Sequence, residues 1–280
     1  MARGDRALGA ALGVGAIAGL GILLLSRRAP AMVLGSPRDP RPGGPPGRFP
    51  PLVERWRAEV ARRSTGTGLP VDALLAWIQI ESGGDTCSGE GTRELGIWQL
   101  YFPADAKYGA TPEGLAAICA KSKLPGFAVG QLSEAELDME VGAGIRKVIA
   151  ARATARDALT QAGVAWPETS FDFGSAVKQI HAAPAVVTEL VPKIVRRDGS
   201  SPASWDDLRR RVMGFPVEQM SGLDKNGRPY GLRALALAPS KHGLKNRLED
   251  TLRNAEIVGR AWGSAARDTA AYVGRAGWAA

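Results

Sequence analysis

The residue in this chain best placed to do chemistry is a carboxylate at the end of an apolar run. Residues 69–84 read LPVDALLAWIQIESGG, which sets Leu74, Ile78 and Glu81 at i, i+4 and i+7 with Trp77 beside them. On a helix this spacing turns the Glu81 side chain toward the buried face. Burial disfavours the ionised form and raises a carboxyl pKa, the condition a general acid needs near neutral pH. A helix-terminal glutamate that points outward and does nothing is the bland alternative. Downstream, a polar, glycine-rich loop carries Asp85, Glu90 and Glu94, any of which is a solvated loop residue or a second carboxyl group.

The next informative stretch runs from Glu94 to Ala104, ELGIWQLYFPA. A glycine, two apolar residues and a glutamine followed closely by proline form a tight, semi-buried hairpin or turn, with the Gln99 amide positioned to bond a polar ligand. This pair of segments resembles the lytic transglycosylase family and its lysozyme-like relatives, in which a helix ends in Glu-Ser and a Gly-Leu-Met-Gln-like segment followed by proline comes shortly after. LDMEVGAGIRKV at 137–148 looks like the long helix of that family, and IHAAPAV at 180–186 resembles its Tyr-Asn-Ala-Gly-Pro-Gly segment. Together these matches cover Leu69 to Leu190.

The resemblance implies a lysozyme-like fold and cleavage of the MurNAc-GlcNAc bond of peptidoglycan. It assigns Glu81 as the catalytic residue, acting first as acid and then as base while the 6-hydroxyl of muramic acid closes onto its own anomeric carbon. Ser82, Trp98, Gln99 and His181 are the candidate substrate-binding residues, and neither a metal nor a cofactor is expected. Goose-type lysozymes share the helix and turn but add carboxylates, so hydrolysis assisted by Asp85, Glu90 or Glu94 is the alternative outcome. A non-catalytic wall-binding or structural protein on the same fold is a second alternative. Ile180 and His181 depart from the family's Tyr and Asn, with His181 a substitute donor or a packed histidine. Trp98 replaces methionine, either to stack on a sugar or to fill the core.

The elements that must hold these residues read as mainly α, since apolar residues beyond Leu52 recur at three and four. Pro70 suits the first turn of a helix and Gly83-Gly84 its end. Ser133 and Glu136 form a capping box that opens a long central helix, whose Leu137, Val141, Ile145 and Ile149 share one face. Ser204 caps another helix with Asp206 and Asp207 in its first turn and Arg209, Arg210 and Arg211 later. Those arginines read as a solvated face rather than a nucleic-acid patch.

The chain has 280 residues, 45% hydrophobic and 23% charged, which excludes wholesale disorder. Its net charge of +8 favours an anionic partner, and two cysteines with two histidines cannot build a four-ligand zinc centre. Ala7 to Ser26 is free of charge for 20 residues, enough for one membrane helix. Gly9/Gly13 and Gly15/Gly19 have the spacing of helix dimers, allowing self-association, and the span also resembles the signal-arrest-release segments of phage lysins. Cleavage of a secretory signal near Ala29-Pro30-Ala31 is the rival reading. Gly35 to Pro51 holds seven prolines in 17 residues and serves as an extended spacer.

The expected organisation is therefore an anchor at 1–34, a linker at 35–51, a lytic transglycosylase-like domain at 52–262 and a tail at 263–280. A wall-cutting domain must lie on the wall side of the membrane or, alternatively, in a virion or in secreted form. Cys87 and Cys119 suit that oxidising location, paired or as two buried thiols. The expected partners are peptidoglycan glycan strands and the membrane itself, with no nucleic acid.

Overall fold

The computed structural model describes residues 49–240 and 242–264. The expected anchor at 1–34, most of the linker and the residues beyond 264 lie outside this range. Among the described residues no helix is long and apolar enough to cross a membrane.

The described chain is mainly α, as its periodicity predicts. Two short helices, α1 (Pro51–Glu54) and α2 (Arg57–Ser64), lead into α3 (Val71–Ser82). Pro51 thus opens the first helix rather than ending the spacer. Pro70 is the N-cap of α3 and not a first-turn residue, and Gly83 ends the helix in the left-handed conformation at φ 64°. Ala73, Leu74, Leu75, Ala76, Trp77 and Ile78 are all buried, so α3 runs through the core rather than along its surface. Each fully buried large apolar side chain here contributes roughly 1.5–3 kcal/mol of transfer free energy.

A two-residue antiparallel ladder follows, β1 (Glu94–Leu95) with β2 (Leu100–Tyr101), pairing Glu94 with Tyr101 and Leu95 with Leu100. Next come a 3-10 turn at Ala104–Tyr108 and α4 (Pro112–Ser122), which Thr111 caps by accepting from the Gly114 N–H. The Ser133–Glu136 capping box forms, with both reciprocal bonds present. The long helix it opens is not continuous α-helix. It consists of α5 (Glu134–Leu137), a π-helical turn at Asp138–Gly142 and α6 (Ala143–Gln161).

The last layer begins with α7 (Phe171–Ala182), which packs on α6 and most extensively on α11 (Arg247–Ser264). Gly174 allows the close approach: a Cβ there would lie 2.4 Å from the Cβ of Trp262. Between them run α8 (Val191–Asp198), α9 (Trp205–Met213) and α10 (Gly231–Leu237), with Ser204 capping α9 as expected by accepting from Asp207 N–H at 3.2 Å. Helix α11 extends to Ser264, two residues past the expected domain boundary.

Candidate active site

Glu81 stands in the last turn of α3, and its carboxylate meets α7. Lys178 Nζ and His181 Nε2 both approach Oε1 of Glu81, the lysine in a tight ion pair and the histidine at 3.2 Å. The Lys178 side chain is 2% exposed and Glu81 17%, so the pair is nearly withdrawn from water. The Lys178 ammonium also lies 4.8 Å from the centroid of the Trp77 ring, and the His181 ring packs edge-on against the same indole at 5.2 Å. Sequence spacing explains the convergence: Trp77 and Glu81 are one helical turn apart on α3, and Lys178 and His181 are three apart on α7.

The electrostatics reverse the expected condition of Glu81. Burial pushes its carboxyl up, but the Lys178 ammonium and the His181 imidazole outweigh burial and hold it well below the usual carboxylate range. His181 is pushed down to about 4 by burial and then by Lys178, so near neutrality it is the uncharged imidazole. Its contact with the carboxylate requires the proton on Nε2, and Nδ1 is buried without a hydrogen-bond partner among the described residues. The resting site is thus a carboxylate held by one cation and one neutral donor, not a protonated acid.

Around this pair lie further charges. Lys147 of α6 bonds Asp105 at 2.5 Å, and Asp105 also accepts from the Tyr101 N–H at 2.7 Å. Burial lowers the Lys147 ammonium, and Asp105 opposes the shift. Glu94 is exposed at the start of β1, yet its carboxyl is raised, first by desolvation and next by the charge of Glu81. The other loop carboxylates are occupied away from Glu81. Asp85 accepts from the Cys87 N–H at 2.9 Å, and Glu90 pairs with Lys123 at 2.8 Å.

The remaining expected site residues build the frame. Ser82 Oγ donates toward the Ile97 carbonyl at 2.9 Å, tying the end of α3 to the hairpin, and accepts from the Gly84 N–H at 3.0 Å. Gln99, at φ 48°, spends its amide on the Ser88 and Gly96 carbonyls at 2.9 and 3.0 Å, so it fastens the loop to the hairpin. Trp98 is 2% exposed and presents no face to a sugar. It packs edge-on to Trp77 at 6.5 Å and over Gly144, where a Cβ would come within 2.2 Å of the indole. Of its two readings, sugar stacking and core packing, the burial of Trp98 supports core packing.

The chain matches no protein-family model, no curated protein and no solved structure.

Sequence spacing alone does not single out Lys178 at the site or Glu140 behind the hairpin. Lys178 lies in the apolar run FDFGSAVKQIHA, and the signal was a lysine three residues before a histidine on a helix otherwise fit for burial. Glu140 sits in the π-helical turn, 1% exposed, and accepts from the Ile97 N–H at 2.8 Å through Oε1, while Oε2 has no hydrogen-bond partner among the described residues. Burial pushes its carboxyl up to about 8, against the Ile97 bond and Arg55 and with the help of Asp85. A carboxyl group on the apolar arc between Leu137 and Val141 was its sequence signal.

Cys87 and Cys119 form a disulfide with a Cα separation of 4.8 Å, which resolves the two readings of those thiols. It ties the loop that follows Glu81 to α4. The Gly84 carbonyl in that loop is held by Arg55 at 2.9 Å and by the Trp56 indole at 3.0 Å. Clamped from both sides, the loop fixes the exit of the chain from Glu81.

Proposed function

We propose that this chain is a peptidoglycan lytic transglycosylase whose catalytic carboxyl is Glu81, working in a lysozyme-like helical domain. The observation that carries the reading is that the end of α3 meets two other segments, the hairpin at Ser82 and the His181 segment of α7 at the Glu81 carboxylate. These are three of the four segments whose residues resemble the family. His181, in place of an asparagine, supplies a neutral N–H donor to Glu81.

In the proposed reaction a protonated Glu81 gives its proton to the glycosidic oxygen as the C1–O bond breaks. The resulting carboxylate takes the proton of the muramic 6-hydroxyl as O6 bonds to C1. The products are a free 4-hydroxyl and a 1,6-anhydro ring, Glu81 ends protonated as it began, and no water is consumed. Tethering the 6-hydroxyl near the anomeric carbon gives it a high effective concentration, which favours ring closure over hydrolysis.

Glu94 supports a second reading, a goose-type muramidase, because the charge of Glu81, after desolvation, helps to raise its carboxyl. In that case Glu94 activates water and the product is a reducing sugar. The tight Lys178 pair supports a third, a wall-binding protein without turnover. Incubating the protein with cell-wall sacculi separates these: soluble anhydro-muropeptides support the transglycosylase, reducing-end products the muramidase, and co-sedimentation without release the binder.

The wall-side location, the membrane anchor at residues 7–26 and helix-mediated self-association belong to the same proposal. The Cys87–Cys119 disulfide supports an oxidising compartment. Protease shaving of spheroplasts tests the topology, since a domain protected inside would overturn it.

A further inference from the structure

We propose that Lys178 is a positioning residue that acts through Glu81 and confines glycan cleavage to acidic solution. The inference rests on the reading of Glu81 as the catalytic acid, and it names a control on that acid. Lys178 does not reach the reacting atoms itself: its side chain is buried, its ammonium is sealed between Oε1 of Glu81 and the face of Trp77, and helix α7 fixes its backbone.

The geometry gives one oxygen of Glu81 two donors. With Oε1 taken by Lys178 and His181, the proton for catalysis must sit on Oε2, and it must bind against the attraction between the carboxylate and the ammonium. Water cannot relieve that attraction, because the lysine has almost no exposed surface. Other charges face the site as well. From α6 comes Lys147, neutralised in part by Asp105 of the 3-10 turn; from β1 comes Glu94, itself opposite Arg247 of α11; His181 of α7 is a neutral donor near neutrality and a second cation below about pH 4. Of these the lysine in direct contact dominates, since charge interactions fall with distance and rise with burial.

The sign follows. A group that must be protonated to act loses activity as pH rises through its own titration, and an adjacent cation moves that loss to lower pH. Removing the Lys178 charge leaves burial, which favours the protonated form, opposed by the His181 contact alone. K178M keeps the aliphatic stem and deletes the charge, so the falling limb of its pH–rate profile should move to higher pH. A move of about one unit already raises activity on that limb about tenfold.

The test is the pH profile of muropeptide release from sacculi by the full chain, for wild type, K178M and K178R. The expected result is activity that falls above acidic pH in wild type and K178R and persists toward neutrality in K178M. An unchanged limb in K178M overturns the proposal. So does loss of activity at every pH in a folded K178M, which would make the lysine a proton source. A carbon-13 NMR titration of the Glu81 carboxyl, assigned by its absence in E81Q, gives a reading that needs no turnover. Wild-type Glu81 should titrate below an ordinary glutamate, and titration at or above the ordinary value overturns the proposal even if K178M fails to fold. If the wild type releases nothing at any pH while Glu81 still titrates low, the enzymatic reading fails and the hold of Lys178 on Glu81 stands.

Discussion

Lys178 holds Glu81 in a buried ion pair formed across 97 residues of sequence. Removal of Glu81 leaves the lysine charged and dry. E81Q should therefore cost about 3–5 kcal/mol of stability, the usual penalty for orphaning a buried charge. The double variant E81Q/K178M should recover much of that loss. Urea denaturation of the three proteins checks both statements, and an E81Q variant as stable as wild type would show that the pair is open to water.

Glu140 and His181 make opposite contributions to the pH dependence of stability. The Glu140 carboxyl is raised to about 8 from 4.5, so the folded state binds the extra proton and stability falls as pH rises between those values. His181 is lowered to about 4 from 6.5, so its contribution rises across that lower window and is complete by 6.5. From 6.5 to 8 the decline due to Glu140 stands clear of the histidine. E140Q should flatten it, as followed by thermal melts at stepped pH.

The Cys87–Cys119 bridge closes a loop with a sequence separation of 32. Loop-closure entropy assigns such a bridge about 3–4 kcal/mol. Reduction, or the C87S/C119S pair, should lower the melting temperature and expose the 83–93 loop to protease first. An unchanged melt would mean that Arg55 and Trp56 alone hold that loop.

Trp98 and Gly144 decide between packing and sugar binding. G144A places a methyl group where the indole sits and should cost about 1–3 kcal/mol or more. W98A should cost about 3–5 kcal/mol and lower activity through the folded fraction. A stable W98A with a raised KM would restore the stacking role.

Much of this arrangement was legible because it is local. Ser133 and Ser204 announce their helices by hydrogen bonds that reach three residues, and the i, i+4, i+7 placement of Glu81 follows from helical geometry alone. What could not be read is what faces what. Burial of Glu81 predicted a raised pKa, and the sign reversed because Lys178 arrives from a helix nearly a hundred residues later. The side of the hairpin on which Trp98 falls depends on the register of a two-residue ladder, too short to leave a periodic pattern. Glu140 was hidden by its apolar neighbours, whose spacing described a continuous helix where the backbone makes a π-helical turn.

The proposed reaction uses one carboxyl group and no activated water. Mass spectrometry of the muropeptides released from sacculi by the full chain in acidic solution, where more of Glu81 is protonated than at neutrality, tests it most directly. The expected products end in 1,6-anhydro-N-acetylmuramic acid, one water lighter than a hydrolase product, and are lost in E81Q but kept in E94Q. Products with reducing ends alone, or release that survives E81Q in a folded protein, would contradict it.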